Sequence, residues 1–150
     1  SSWEAKLQAA YRKLTRTPPR VATDSKRLSD AYASAHTAYH EALVSGCDSD
    51  WLLRIRRLLS TQSERYRRLA LPLSSRNRDI AAEHPQIMDA ALARDEPRAL
   101  ALLAEHIQAT TQMLLEVPVL SLHLNQPLEV NRLLAFAKGE GNLLPAGPSL

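Results

Sequence analysis

The chain has 150 residues, a formal net charge of +3, one cysteine (Cys47), one Phe and four Gly. This length suits one domain, and a composition dominated by alanine and aliphatic residues favours helices over sheets. The lone cysteine excludes a disulfide scaffold, and the modest charge favours solvated helix faces over a nucleic-acid-binding surface. No apolar run approaches the roughly 20 residues of a membrane span, and no leader precedes the first helix, so we expect a cytoplasmic protein without membrane contact.

Apolar residues at helical spacing predict three amphipathic helices in the first half of the chain. The first covers residues 3–15, and the second runs from a cap at Asp24 or Ser25 to residue 44. The third is the longest, over residues 51–71. Its predicted buried stripe consists of Leu52, Ile55, Leu58, Leu59, Tyr66 and Leu69.

Two further helices follow a polar link. Pro85 either lies in the first turn of a helix that starts near Glu83 or kinks a longer helix just after His84. Asp95 caps the next helix, which ends near residue 116 and tolerates Pro97 in its first turn. Beyond it, residues 117–150 are rich in Pro and Gly and hold at most one short helix, over residues 128–138.

Four histidines stand where helices can bring them to one point. His36 and His40 are four residues apart and therefore share a helix face, while His84 and His106 belong to two later helices. Neutral imidazole is a common ligand of borderline metals, and bundle cores often hold such sites. A single histidine is more often a packed or solvated residue, but four on three helices predict a metal site. His123, in the tail, is left out.

Three segments carry a family resemblance. Residues 34–43 read SAHTAYHEAL, residues 83–95 join the Glu-His pair to IMDAALARD, and residues 103–107 read LAEHI. His84 follows His40 by 44 residues, and His106 follows His84 by 22. In order and spacing they resemble the FCD domain, the all-helical effector domain of FadR-type GntR transcription regulators. The resemblance covers residues 1–116 and implies an all-α antiparallel bundle of about six helices around a metal and ligand cavity. Residues 117–150 form a separate tail.

The resemblance also implies a ligand set. In the family, an Asp and three His hold a divalent metal on the floor of the cavity. His40, His84 and His106 take the three histidine positions, and His36 stands where the family has Asp. A nitrogen in place of a carboxylate favours Zn²⁺ or Ni²⁺, with Mn²⁺ a further candidate. Alternatively, His36 does not ligate and leaves a position open.

Family effectors are mostly small carboxylic acids, which a metal and a cation can hold together. We expect Arg54, Gln62, Arg65 and Tyr66 of the long helix to contact such an effector, although these arginines also suit a solvated face or a dimer seam. The resemblance implies a homodimer whose geometry the effector alters, and DNA binding through an N-terminal winged helix-turn-helix. No recognition helix is found in this sequence, so we expect either a fragment or a protein that has lost DNA binding.

Two other functions compete with a sensor. A metal-dependent enzyme needs a general base, for which Glu41, Glu83 and Glu105 are candidates. Each neighbours a proposed ligand, but adjacent helix positions point about 100° apart, so these carboxylates should lie outside the cavity. A helical interaction module with incidental histidines is the second alternative. We favour a switch over catalysis.

Overall fold

The computed structural model describes residues 1–70 and 79–116, except the side chains of residues 25, 26, 69 and 70. Within these ranges the fold is all-α apart from one small hairpin, which confirms the predicted class. The predicted tail, the helix over residues 128–138 and His123 lie outside the described residues, which hold five helices of the expected six or so. The elements are α1 (Ser2–Arg16), β1 (Arg20–Val21), β2 (Asp24–Leu28), α2 (Asp30–Val44), α3 (Asp50–Ala70), α4 (Ile80–Leu92) and α5 (Glu96–Leu115).

The start of α2 differs from the prediction. Asp24 and Ser25 do not cap a helix, because β2 pairs with β1 as an antiparallel hairpin in which Arg20 lies opposite Leu28. The helix begins after this strand, where the Ser29 hydroxyl accepts a hydrogen bond from the Tyr32 amide. The sequence offers several capping side chains in a row, and the strand pairing decides which one is used.

Pro85 lies inside α4 and not in its first turn, which makes the predicted start near Glu83 wrong. The helix begins at Ile80, capped by the Asp79 carboxylate on the Ala82 amide. Asp95 caps α5 as predicted, with Pro97 in its first turn. Pro85 has no amide hydrogen to donate one turn back, so the ladder of α4 is interrupted next to His84.

The core forms where α1 packs against α2 and α4. Leu7, Ala35 and Tyr39 are fully buried there, and Leu14 is nearly so. The capping box of Ser1 and Glu4 fixes the start of α1, and burial of these apolar side chains supplies the main stabilisation. This core packs against one side of α2. The side of α2 that carries His36 faces the remaining helices.

The long helix α3 turns the opposite way from the prediction. Five members of its predicted buried stripe are exposed in the single chain, namely Leu52, Ile55, Leu58, Leu59 and Tyr66, with Leu58 and Leu59 each 63% exposed. We call the apolar residues Trp51, Leu52, Ile55, Leu58 and Leu59 the outer face of α3. Half-buried polar side chains lie on the opposite side, and we call Arg56, Ser60, Ser63, Glu64 and Arg67 its inner face.

Candidate metal centre

Three helices bring the four predicted histidines together. His36 and His40 lie one turn apart on α2, His84 lies on α4 and His106 on α5. Each offers one ring nitrogen, and these four atoms all lie within 4.8 Å of one another. His36, His84 and His106 are buried, with 5%, 2% and 6% of their surfaces exposed. The cluster could hold a metal ion.

The donors fit a divalent ion. Nitrogens bound tetrahedrally to Zn²⁺ at 2.0–2.1 Å lie about 3.4 Å apart, and the Nε2 atoms of His36 and His40 are already 3.3 Å apart. Separations of up to 4.8 Å must shorten by up to about 1.4 Å on binding, and the broad χ2 rotation of imidazole rings is the motion available for this. Metal binding needs neutral rings. Burial, reinforced by neighbouring histidines and Arg67, lowers the pKa of His36 and His40 far below 6.5, so both rings are neutral at pH 7.

A carboxylate orients His106. Oε2 of Glu83 lies 2.7 Å from Nδ1 of His106, which donates a hydrogen to it. The proton on Nδ1 leaves the Nε2 lone pair available to a metal, an arrangement common behind histidine ligands. Glu83 neighbours His84 in the sequence, but its side chain reaches across to the next helix and contacts His106.

A tyrosine holds α4 against α2 beside the cluster. The fully buried hydroxyl of Tyr39 donates a hydrogen bond of 2.8 Å to the carbonyl oxygen of His84. Burial raises the pKa of Tyr39, so its hydroxyl stays protonated and remains a donor. This bond crosses between the two helices next to Pro85 and therefore fixes where His84 sits relative to His36 and His40.

The inner face of α3 supplies an arginine to the cluster. Nη1 of Arg67 lies 2.9 Å from Nδ1 of His36. The guanidinium also pairs with Glu64, whose second oxygen accepts from Nε of Arg68 at 3.0 Å. Nε of Arg67 is buried and has no hydrogen-bond partner among the described residues.

A small pocket of about 40 Å³ lies beside the cluster. Its wall includes His36, His106, Glu64, Arg67 and Thr110. One water molecule needs roughly 10–15 Å³ of space for its centre, so this pocket holds about three waters or a comparably small group. The cluster therefore adjoins a polar pocket of limited size.

The predicted effector residues lie elsewhere on α3. Arg54, Gln62, Arg65 and Tyr66 are all exposed and do not line the pocket. Arg65 instead donates to Gln62 at 3.4 Å. Their role in effector binding stays a prediction. Sequence reasoning missed Glu64 and Arg67, although polar residues recur at helical spacing along the inner face and could have indicated them.

Comparison with known proteins decides the family. The FCD domain matches residues 1–109. The chain belongs to the FCD family. This confirms the family that the motifs resembled, and the cluster described above is a histidine cluster inside an FCD domain.

Two relatives of this FCD domain are transcriptional regulators. It is 36% identical over 110 residues to the uncharacterized HTH-type transcriptional regulator BphR of Paraburkholderia xenovorans, covering 73% of this chain and 45% of that protein. It is 31% identical over 109 residues to the HTH-type transcriptional repressor GlaR of Escherichia coli, covering 70% of this chain and 49% of that protein. The FCD domain thus spans about half the length of these relatives, which are regulators and not enzymes. No solved structure matches it significantly.

The described helices of this FCD domain include none that is both long enough and apolar enough to span a membrane.

Proposed function

We propose that this FCD domain is the effector-sensing domain of a GntR-type transcription regulator. In this proposal His36, His40, His84 and His106 hold a divalent metal ion, and a small carboxylic acid binds beside it. The observation that supports this most directly is the convergence of four histidine nitrogens within 4.8 Å in a domain of this family. Acid binding would change how the full-length dimer binds DNA, in the cytoplasm.

The nature of the donors favours Zn²⁺ or Ni²⁺, with Mn²⁺ as a further candidate. Neutral imidazoles suit Zn²⁺ and Ni²⁺ best, whereas Mg²⁺ prefers oxygen ligands. A bound ion would supply a Lewis-acidic position for one carboxylate of the effector. The protein's own residues position the ligands. Glu83 orients His106, and Tyr39 positions His84 by donating to the carbonyl oxygen of His84.

The pocket side of the site favours an anion. Arg67 presents a planar guanidinium, which binds a carboxylate through two parallel hydrogen bonds. The small volume favours an acid that places only a carboxylate or a short hydroxy acid there. The exposed residues Arg54, Gln62 and Arg65 stay candidates for contacts with a longer effector, outside the pocket.

The outer face of α3 supports the proposal of a homodimer. Trp51, Leu52, Leu58 and Leu59 are more than half exposed. On the neighbouring α5, Leu100 and Ile107 are 59% and 56% exposed. Apolar patches of this kind usually mark an interaction site. In this proposal a second copy of the chain covers these apolar residues, because the family resemblance implies a homodimer.

The two faces of α3 suggest how a signal travels. The inner face contacts the histidine cluster through Arg67, and the outer face meets the second copy. An effector that changes the position of Arg67 therefore acts on the helix that carries the dimer contacts. DNA is reached only through the helix-turn-helix part of the full-length protein, so the effect on DNA is indirect.

Metal analysis of the purified FCD domain tests the proposal. Dialysis against Zn²⁺ followed by elemental analysis should give about one equivalent per chain, as expected for a single site. The double variant His40→Ala/His84→Ala should lose most of it, while His123→Ala serves as a matched control that should retain it. Less than roughly a tenth of an equivalent in the wild type would instead favour a helical interaction module.

A further inference from the structure

Arg67 and a metal ion compete for the same electron pair. A neutral imidazole has one nitrogen that donates a hydrogen and one that offers a lone pair, and a guanidinium can only donate. Nη1 of Arg67 lies 2.9 Å from Nδ1 and 3.3 Å from Nε2 of His36. The shorter contact makes Nδ1 the acceptor and places the lone pair of His36 there. His36 cannot give the same pair to a metal.

The shorter contact indicates the state of both α2 histidines. With Nδ1 of His36 accepting from Arg67, the ring proton lies on Nε2, which is 3.3 Å from Nε2 of His40. His36 then donates to His40 and occupies its lone pair as well. Two of the four candidate ligands are therefore engaged by a chain of hydrogen bonds that begins at Arg67.

The surroundings of Arg67 indicate which kind of ligand could separate its guanidinium from His36. Its side chain is only 17% exposed, and its buried Nε has no hydrogen-bond partner among the described residues. Its partner Glu64 is shared with Arg68. The guanidinium also borders the pocket of about 40 Å³. Because Nη1 donates to His36 and Nη2 to Glu64, a carboxylate that enters the pocket and takes the Nη1 donor would leave the lone pair of His36 free.

We propose that Arg67 blocks His36 until a carboxylate in the pocket binds its guanidinium, and that His36 then becomes available to join the other histidines at the metal. This inference rests on the proposed metal site and deepens it, because it explains how an acid and a metal communicate. The coupling is reciprocal: the acid must tighten metal binding by the same factor by which the metal tightens acid binding.

Zinc affinity, measured by competition with a chromophoric chelator, tests the block. Arg67→Met should bind Zn²⁺ about tenfold more tightly than wild type, since a hydrogen bond to a charged group worth about 1.5 kcal/mol no longer opposes ligation. The gain should vanish when His36→Ala is also present. The matched control Arg57→Met, an exposed arginine of α3, should bind like wild type.

Comparing the effect of Arg67→Met in the presence and absence of His36 distinguishes the proposed block from simple charge repulsion. Loss of a nearby positive charge would tighten metal binding with or without His36, so an equal gain in both backgrounds overturns the proposal. Saturating acetate, against a chloride control of equal ionic strength, should tighten Zn²⁺ binding in the wild type and leave Arg67→Met unchanged. Equal acetate effects in the two proteins also overturn it.

A metal-free measurement distinguishes the two proposals and needs no variant. Long-range ¹H–¹⁵N NMR spectra of the wild-type domain read the tautomer of His36, which should carry its proton on Nε2. A proton on Nδ1 overturns the block and leaves the metal site standing. A wild-type domain that binds no Zn²⁺ overturns the proposed metal site and, with it, this inference.

Discussion

Glu83 contacts His106 across two helices, with Oε2 of the carboxylate 2.7 Å from Nδ1 of the ring. The residue next to one candidate ligand thus orients another. Because α4 and α5 are joined by a short turn that includes Arg94, with a positive φ of 58°, the two helices lie side by side and bring this pair into contact. The contact gives His106 a fixed tautomer, with the proton on Nδ1 and the lone pair on Nε2.

Replacing Glu83 should weaken metal binding without removing a ligand. Glu83→Gln loses the charge that favours the proton on Nδ1 of His106, and outer partners of this kind contribute roughly tenfold or more to metal affinity. Zinc titration by calorimetry measures the change. Glu105→Gln, an exposed neighbour of His106, is the matched control and should bind like wild type. Equal affinities for wild type and Glu83→Gln would show that Glu83 does not support a ligand.

The metal-free domain should lose stability in mild acid. Burial keeps the pKa of His36 and His40 below the unfolded value of 6.5, so the unfolded chain binds protons that the folded chain does not. Stability is therefore complete above about pH 6.5 and falls as the pH drops below it, by up to about 1.4 kcal/mol per pH unit for each histidine. Urea unfolding at pH 7.5, 6 and 5 measures this slope. A His36→Gln/His40→Gln variant should show a shallower slope, and an equally steep slope in that variant would contradict the assignment to these two rings.

A small dicarboxylate should stabilise the domain only when metal is present. Succinate can place one carboxylate near the histidines and the other near α3, so its affinity depends on both. At a hundredfold excess over its dissociation constant, a ligand adds about 2.7 kcal/mol to the free energy of unfolding. Thermal unfolding with and without Zn²⁺ measures the difference. Equal shifts in the metal-free and metal-loaded domain would argue against metal-mediated binding of the acid.

A charge on the outer face of α3 should separate the proposed dimer. Leu58→Asp removes an exposed leucine whose burial contributes about 1.5–3 kcal/mol, so the dimer should weaken by tenfold or more. Light scattering after size exclusion should give twice the 16.7 kDa of one chain for wild type and one chain for the variant. Gln8→Asp, an exposed change on α1, is the control and should remain dimeric. A wild-type monomer at all concentrations would exclude this interface.

The sequence determines the helices better than their orientation. Capping residues such as Asp95 and the helical spacing of apolar residues predicted the ends of α1, α3 and α5 to within a few residues. The predicted start of α2 was wrong because only the partner strand shows that residues 24–28 are extended, and α4 begins at Ile80, before the predicted start near Glu83. Amphipathic spacing shows that α3 has two different sides, but it does not show which side meets the rest of the same chain and which remains exposed.

The candidate site was predictable where one helix or a family motif defines it. His36 and His40 share a face by spacing alone, and the predicted helices placed His84 and His106 nearby before the family motifs gave them ligand positions. The contacts of Glu83 and Arg67 were not predicted, because they join residues that lie 23 and 31 positions apart in the sequence. Such pairs depend on how helices pack, and single-helix periodicity carries no information about that packing.

X-ray absorption spectroscopy of the Zn²⁺-loaded domain shows directly whether the histidines bind the ion. We expect a shell of three or four nitrogens at about 2.0–2.1 Å with the multiple scattering of imidazole rings, and fewer imidazoles in His84→Ala. A first shell made of oxygen atoms, or an imidazole count that His84→Ala leaves unchanged, would contradict this expectation.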